Sequence, residues 1–283
     1  MLQNRPEVFG LLGYPLGHSL SPAMHNAAFH ALGVEAEYKL FAVKPDEADS
    51  FLKDLSRQNI SGLNVTIPYK EKALGFVSLD RSNVFLKQVG AINTIAFAEG
   101  SWKGYNTDIP GFARHLKENI DPAGKKVALL GAGGAARAVS YVLAQEKAQE
   151  IFVFDIAGEK TKSIVTMVKE LFPGFSVRAA DSIEQLDIRN KDILINATPV
   201  GLRPDDSLPV APELLHKGLF VYDLIYNPQQ TKLLSTAEKS GAKTANGLSM
   251  LLYQGMLSFE IWTGKKAPEQ VMRQALQKAS VKY

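Results

Sequence analysis

The chain has no cysteine, which excludes disulfides, a thiolate nucleophile and cysteine-ligated metal, and fits a reducing compartment. It also lacks any run of about 18 apolar residues that could cross a membrane. The opening MLQNRPEVFGLLGYPLG reaches Arg5, Pro6 and Glu7 before a signal-peptide core could form. A cytoplasmic protein is therefore expected. Its histidines, His18, His25, His30, His115 and His216, show no metal-ligand spacing, so no metal is expected. Nor is there a surplus of one charge. Thirty-two basic residues face 29 acidic ones, for a net +3 spread along the chain. Lys125–Lys126 and Lys265–Lys266 read as solvent-facing element boundaries, and nucleic acid is not the expected partner. Internal repeats and low-complexity segments are absent.

What is present is 283 residues with 46% hydrophobic content, enough for one large domain or two ordinary ones. Apolar β-rich runs alternate with helical patterns: VFGLLGYP, SPAMHNAAFHALG, EYKLFAV, PDEADSFLKDLSRQ, ISGLNVTIP. That rhythm signifies βαβ units and a mostly parallel sheet. The second of these is a helix in which Ser21 can cap, Pro22 suits the first position and Gly33 terminates. AINTIAF and SWKGYN form a hairpin across AEGS, and TDIPGFARHLKENI is a helix leading to a new start at Val127.

The second rhythm runs strand KKVALLG, glycine turn, helix, strand EIFVFD, helix GEKTKSIVTMVKELF, then strands SVRAA, DILINAT and LFVYDLI. It reads as a Rossmann-type dinucleotide-binding domain over residues 113–245. After Gly241 two helices are expected, and no further strand long enough to extend the sheet. The helices of 246–283 are expected to complete an α/β substrate-binding domain begun by residues 1–112, leaving a cleft between two lobes.

Gly131, Gly133 and Ala136 form a G-x-G-x-x-A array between strand and helix. The first glycine allows a tight turn, the second lets backbone approach a pyrophosphate, and the small third residue seats the helix. The amides around Gly131, Ala132, Gly133, Gly134 and Ala135 would face the anion. Asp155, at the end of the next strand, stands near the roughly 20-residue spacing at which an acid meets the adenosine ribose. A carboxylate there repels a 2′-phosphate, so NAD is expected over NADP; the plainer reading is that Asp155 caps the helix beginning near Ala157, with Lys160 and Lys162 able to hold a phosphate. INATPVGL places Asn196, Ala197, Thr198 and Pro199 at the carboxyl edge of a strand, where open α/β sheets bind ligands.

The segments GYPLGHSLSPAMHN, NVTIPYK, GAINT, GYNTD, GAGGAARA, NATPVGL, YDLIYNP and NGLSMLLYQG resemble, in order and across nearly the whole chain, the signatures of the shikimate and quinate/shikimate dehydrogenases. The resemblance implies reversible nicotinamide-linked oxidation of one ring hydroxyl of shikimate to 3-dehydroshikimate. It assigns proton transfer to Lys70, partnered by Asp108. A free lysine, with pKa near 10.4, is a poor base at neutral pH, so burial must assist it or it serves chiefly as donor to the oxygen. The two groups titrate as a unit. The resemblance further assigns the substrate carboxylate to Ser19 and Ser21, of which Ser21 has a competing use as helix cap. Ring hydroxyls go to Thr66, Asn93 and Gln254. Tyr226 is placed near the substrate, and Thr198, Leu224 and Gly247 on the cofactor side, Leu224 and Gly247 against the nicotinamide region.

One departure stands out. NADP-dependent members carry an N-R-[ST] segment where this chain reads FDIAGEK. An NAD-dependent shikimate or quinate/shikimate dehydrogenase is therefore the leading expectation, with the choice between shikimate and quinate left open. The alternatives are an NADP-dependent biosynthetic shikimate dehydrogenase and a non-catalytic quinate/shikimate sensor. The expected partners are small molecules, with the protein a monomer or homodimer.

Overall fold

The computed structural model describes residues 6–17 and 19–281, so His18 lies outside the described residues. The chain divides into two compact units, one running through Asp108 and resuming at Leu252, the other Ile109–Leu251. The sequence pattern puts the corresponding boundaries at 112 and 246.

In the first unit, β1 (Glu7–Gly13), β2 (Ala36–Ala42), β3 (Ile60–Val65), β4 (Thr94–Ala98) and β5 (Ser101–Tyr105) form a sheet ordered β2-β1-β3-β4-β5. β1 pairs parallel with β2 and β3, whereas β3–β4 and β4–β5 are antiparallel. The sheet is thus mixed rather than mostly parallel, because a two-residue turn at Glu99 and Gly100, both at positive φ, folds β5 straight back on β4. The helices are α1 (Ser21–Ala31), the short α2 (Ala48–Lys53) and α3 (Leu86–Val89).

Helix α4 (Asp108–Asn119) leads into the second unit, whose strands are β6 (Lys126–Leu130), β7 (Glu150–Phe154), β8 (Ser176–Ala179), β9 (Ile193–Asn196), β10 (Phe220–Asp223) and β11 (Lys243–Asn246). Interspersed are α5 (Gly134–Gln145), α6 (Gly158–Leu171) and α7 (Lys232–Lys239). The sheet order is β11-β10-β9-β6-β7-β8, every pairing parallel. This is the doubly wound arrangement of a Rossmann-type domain. β11 corrects the expectation that no strand long enough to extend the sheet follows Gly241. Its four residues, KTAN, are too short and polar to read as a strand, yet they pair in register with Phe220–Asp223 at the sheet edge.

The chain closes with α8 (Leu248–Thr263) and α9 (Glu269–Ser280), and α9 packs against α1. The core of the first unit is aromatic. Phe9 stacks on Phe29 at 5.4 Å and on Trp262 at 5.0 Å, and Phe29 meets Phe259. In the second unit Ala128, Leu130, Leu194 and Val221 of the central strands pack with Leu233, Leu234 and Ala237 of α7. Among the described residues no helix is long and apolar enough to cross a membrane, and no cluster of acidic or histidine side chains is placed to hold a metal ion.

Candidate active site

The apolar strand β3 ends at Val65, and the turn through Thr66–Tyr69 delivers Lys70. Tyr69 is buried, donates its hydroxyl to the Val43 carbonyl at 2.6 Å, and anchors the turn by donating its amide to the Thr66 carbonyl. The Lys70 ammonium, its side chain 13% exposed, lies 2.6 Å from Oδ2 of Asp108, the first residue of α4. Asp108 Oδ1 accepts from the Asn93 side-chain amide at 2.9 Å, and the same amide reaches Gln254 Oε1 on α8 at 3.2 Å. Four sequence-predicted residues, Lys70, Asp108, Asn93 and Gln254, are therefore one hydrogen-bonded group in the first unit.

Behind it lies a polar network that patterning did not single out. Asn64, buried in β3, donates to Ser258 Oγ at 2.8 Å and Thr94 Oγ1 at 3.1 Å, and accepts from the Tyr38 hydroxyl at 2.9 Å. Thr107 closes the circuit, its amide donating to Asn93 Oδ1 at 2.6 Å and its hydroxyl lying 3.1 Å from Ser258 Oγ. The signal was present in the sequence: an asparagine inside the apolar β3 run is a buried polar group that must be satisfied.

Ser19 and Ser21 lie side by side, with their expected local roles exchanged. The Ser21 amide donates to Ser19 Oγ at 3.3 Å, whereas Ser21 is buried inside the first turn, with Leu20 rather than Ser21 at the cap position. Ser19, not Ser21, has the local claim on its hydroxyl. Thr66 follows β3 directly, half-buried, with its amide on the Leu12 carbonyl. Tyr226 belongs to the second unit, in the segment after β10.

In the second unit Gly131 has φ +97°, and a β-carbon there would lie 2.9 Å from the Ala197 carbonyl, so only glycine fits both the turn and the approach of β9. Ala132 follows in the turn, Gly133 stands at the cap of α5 with no side chain capping it, and Gly134 and Ala135 begin the helix. Its first-turn amides and dipole form a ready anion site. Gly247 packs so closely on the Leu224 backbone that any side chain there would strike its carbonyl oxygen.

Asp155 occupies neither simple role expected of it. Oδ2 accepts from the Ala132 amide at 2.7 Å and Oδ1 from the Ala157 amide at 2.8 Å. The carboxylate ties the glycine turn to the end of β7. Each oxygen already has one donor and keeps a further lone pair, so these contacts leave the choice between NAD and NADP undecided. Ile156, next to it, is 97% exposed where the N-R-[ST] pattern places arginine.

At the carboxyl edge of β9, Asn196 Oδ1 accepts from the Thr198 amide at 3.1 Å and hydroxyl at 2.6 Å, and its side-chain amide donates to Asp223 Oδ1 at 3.0 Å. Asp223 is fully buried, and desolvation pushes its carboxyl up to about 6.

Comparison with known proteins accords with this geometry. The pattern of the shikimate dehydrogenase substrate binding domain matches residues 11–95, and that of the shikimate 5′-dehydrogenase C-terminal domain matches residues 247–277. The shikimate dehydrogenase (NADP(+)) of Methanopyrus kandleri is 45% identical over 278 residues, covering 95% of this chain and 94% of its own. A crystal structure of a shikimate dehydrogenase in complex with NADP+ superposes with a TM-score of 0.86 at 38% identity, covering 98% of this chain and 97% of that one. The shikimate 5-dehydrogenase of Listeria monocytogenes, solved with shikimate and NAD, gives 0.83 at 34% identity, covering 96% and 97%. The chain belongs to the shikimate dehydrogenase family.

Proposed function

We propose that this protein interconverts shikimate and 3-dehydroshikimate with a nicotinamide dinucleotide. The observation that carries the reading is the Lys70–Asp108 contact of 2.6 Å, made by side chains that are both largely buried. Loss of hydride from a secondary alcohol leaves a developing carbonyl, so the hydroxyl proton must pass to a positioned group. Lys70 receives or returns that proton, and Asp108, fixed through Oδ1 by Asn93, holds and orients the ammonium. Ser19 and Ser21 bind the substrate carboxylate. Thr66, Asn93 and Gln254 bind ring hydroxyls, and Tyr226 is a further substrate residue. The turn Gly131–Ala135, with its positive φ at Gly131 and uncapped α5 amides, suits a pyrophosphate. Thr198, Leu224 and Gly247 would flank the nicotinamide. The dinucleotide, when bound, supplies the hydride acceptor.

For the coenzyme we favour NADP. The Methanopyrus kandleri relative is named for NADP(+), and one of the similar solved shikimate dehydrogenases is in complex with NADP+. NAD is the second reading, supported by Ile156 standing where a phosphate-clasping arginine is patterned. Absorbance at 340 nm with shikimate and each coenzyme decides. A higher kcat/KM with NADP supports the favoured reading and a tenfold preference for NAD reverses it. Quinate in the same assay reports whether a second substrate is used. Binding of shikimate without turnover by either coenzyme would make the protein a sensor.

A further inference from the structure

The buried carboxylate of Asp223 is not among the groups that would touch substrate or coenzyme, yet two loops at the carboxyl edge of the parallel sheet are built around it. Oδ1 accepts from the Asn196 side-chain amide at 3.0 Å and from the Ile225 amide at 3.1 Å. Oδ2 accepts from the Thr231 hydroxyl at 2.7 Å. Each donor is a structural element of one loop. Asn196 Nδ2 also donates to the Val200 carbonyl at 3.1 Å while its Oδ1 holds Thr198, so Asn196 shapes the loop 196–201. Thr231 caps α7 by accepting from the Leu234 amide at 3.3 Å, and Ile225 accepts from the Gly247 amide at 3.1 Å, so the segment 224–231 is pinned at both ends. The Leu224 amide donates to the Asn196 carbonyl at 2.9 Å, joining the two loops directly.

We propose that Asp223 is a positioning residue for dinucleotide binding: its ionised carboxylate fixes Thr198 on one loop and Leu224 and Gly247 on the other in the arrangement that receives the nicotinamide end. The inference rests on the dinucleotide-dependent reading above and names a residue that reading does not use.

Two physical features support it. Among the described residues three donors and no cation converge on one carboxylate, so the anion is held there by hydrogen bonds alone, and a neutral amide oxygen cannot accept from all three at once. Burial also penalises the charge, which is why the carboxyl is pushed up to about 6. A carboxylate retained against such a penalty, where an apolar side chain would serve packing, indicates a role for its acceptor geometry.

The charged groups of the neighbouring elements are directed elsewhere. Lys232 on α7 donates to the Asp206 carbonyl, the Asp206 carboxylate takes the Gly201 and Arg203 amides, and Glu238 takes Gln230 and Thr244. Lys239 on α7 and Lys243 on β11 are exposed, and Tyr222 on β10 faces His115 at 2.6 Å. The carboxylate of Asp223 therefore titrates against its three uncharged donors.

The test is Asp223→Asn in the full-length protein, with Thr231→Val as the second variant should the first not fold. The amide matches the carboxylate in size but replaces one acceptor oxygen by an N–H, so the Thr231 hydroxyl must turn from donor to acceptor and loses its partner for its own proton. Dissociation constants for NADP+ and NAD+ are measured by calorimetry without shikimate, alongside steady-state constants and thermal melts. The expected result is a tenfold or greater weakening of the tighter coenzyme, measured with no substrate present so that any movement of Tyr226 does not enter the reading. Because burial raises the Asp223 carboxyl, coenzyme affinity of the wild type is expected to fall as the medium is acidified, and this part of the pH dependence should disappear in Asp223→Asn. Thr231→Val should weaken the coenzyme in the same direction by a smaller factor. A lowered melting temperature with unchanged coenzyme affinity in the folded variant overturns the proposal and leaves Asp223 a structural group. Failure of the wild type to bind either coenzyme would instead remove the dinucleotide reading, and this inference with it.

Discussion

The Asn93 side-chain amide lies 2.9 Å from Asp108 Oδ1 and 3.2 Å from Gln254 Oε1, so one side chain couples the acid of the Lys70 pair to α8. A residue assigned to the substrate is thereby also the support of the proton-transfer pair. The distances imply that loss of Lys70 and loss of Asn93 have different signatures. Lys70→Ala should lower kcat by 100-fold or more, within the ~10²–10⁴ range of general acid–base contributions, with little change in KM for shikimate. Asn93→Ala should alter both constants. Turnover of Lys70→Ala within about tenfold of wild type would reassign proton transfer.

Ser258 Oγ accepts from Asn64 at 2.8 Å, donates to the Gln254 carbonyl at 3.0 Å, and lies 3.1 Å from the Thr107 hydroxyl. Ser258→Ala removes that hub from a fully buried site. Urea unfolding should register a loss of about 1–3 kcal/mol, the usual cost of leaving buried polar groups underpartnered. An unchanged denaturation midpoint would mean that the remaining hydroxyls re-pair completely.

His25 is buried, stacks on Tyr38 at 4.4 Å with rings 6° from parallel, and has neither ring nitrogen hydrogen-bonded among the described residues. Burial lowers its pKa from 6.5 to about 3. Below the unfolded-state value the unfolded chain takes up a proton that the folded chain refuses, so stability falls as pH drops from 6.5 toward 3. Between pH 7.5 and pH 5 this single group should withdraw about 2 kcal/mol. His25→Phe keeps the stacking and should remove that share of the acid sensitivity, read from urea unfolding at both pH values. Equal acid losses in variant and wild type would contradict the assignment.

Asp155 accepts from the Ala132 and Ala157 amides. Its replacement by alanine should loosen the glycine turn and raise KM for NAD and NADP by similar factors. A selective gain with NADP, measured as the ratio of kcat/KM values, would restore the carboxylate as a discriminator against the 2′-phosphate.

The parts of this structure legible in the sequence are those in which local chemistry and long-range packing agree. The strand, glycine turn and helix around Gly131 needed only adjacent residues, as did the turn at Glu99–Gly100. The meeting of Lys70 with Asp108 spans two separate loops, and only the family resemblance brought them together in advance. Periodicity treats buried positions as apolar, so the network of Asn64, Thr94, Thr107 and Ser258 was hidden from it. Asp223, within YDLIYNP, has no role readable from periodicity for the same reason. β11 was missed because four polar residues at a sheet edge have no pattern of their own, their pairing being dictated by β10. The roles of Ser19 and Ser21 were exchanged because the helix begins one residue earlier than a capping Ser21 requires.

The first unit is split in sequence, resuming at Leu252 after the second unit has been made. During synthesis the order of completion is therefore the reverse of the order of emergence. Every strand of the parallel sheet has been made by Leu251, while Phe9 still lacks Trp262 and α1 still lacks α9. A nascent chain therefore holds the aromatic cluster around Phe9 unfinished until the residues beyond Leu251 have been made, which leaves apolar surface open for longer than in a continuous domain.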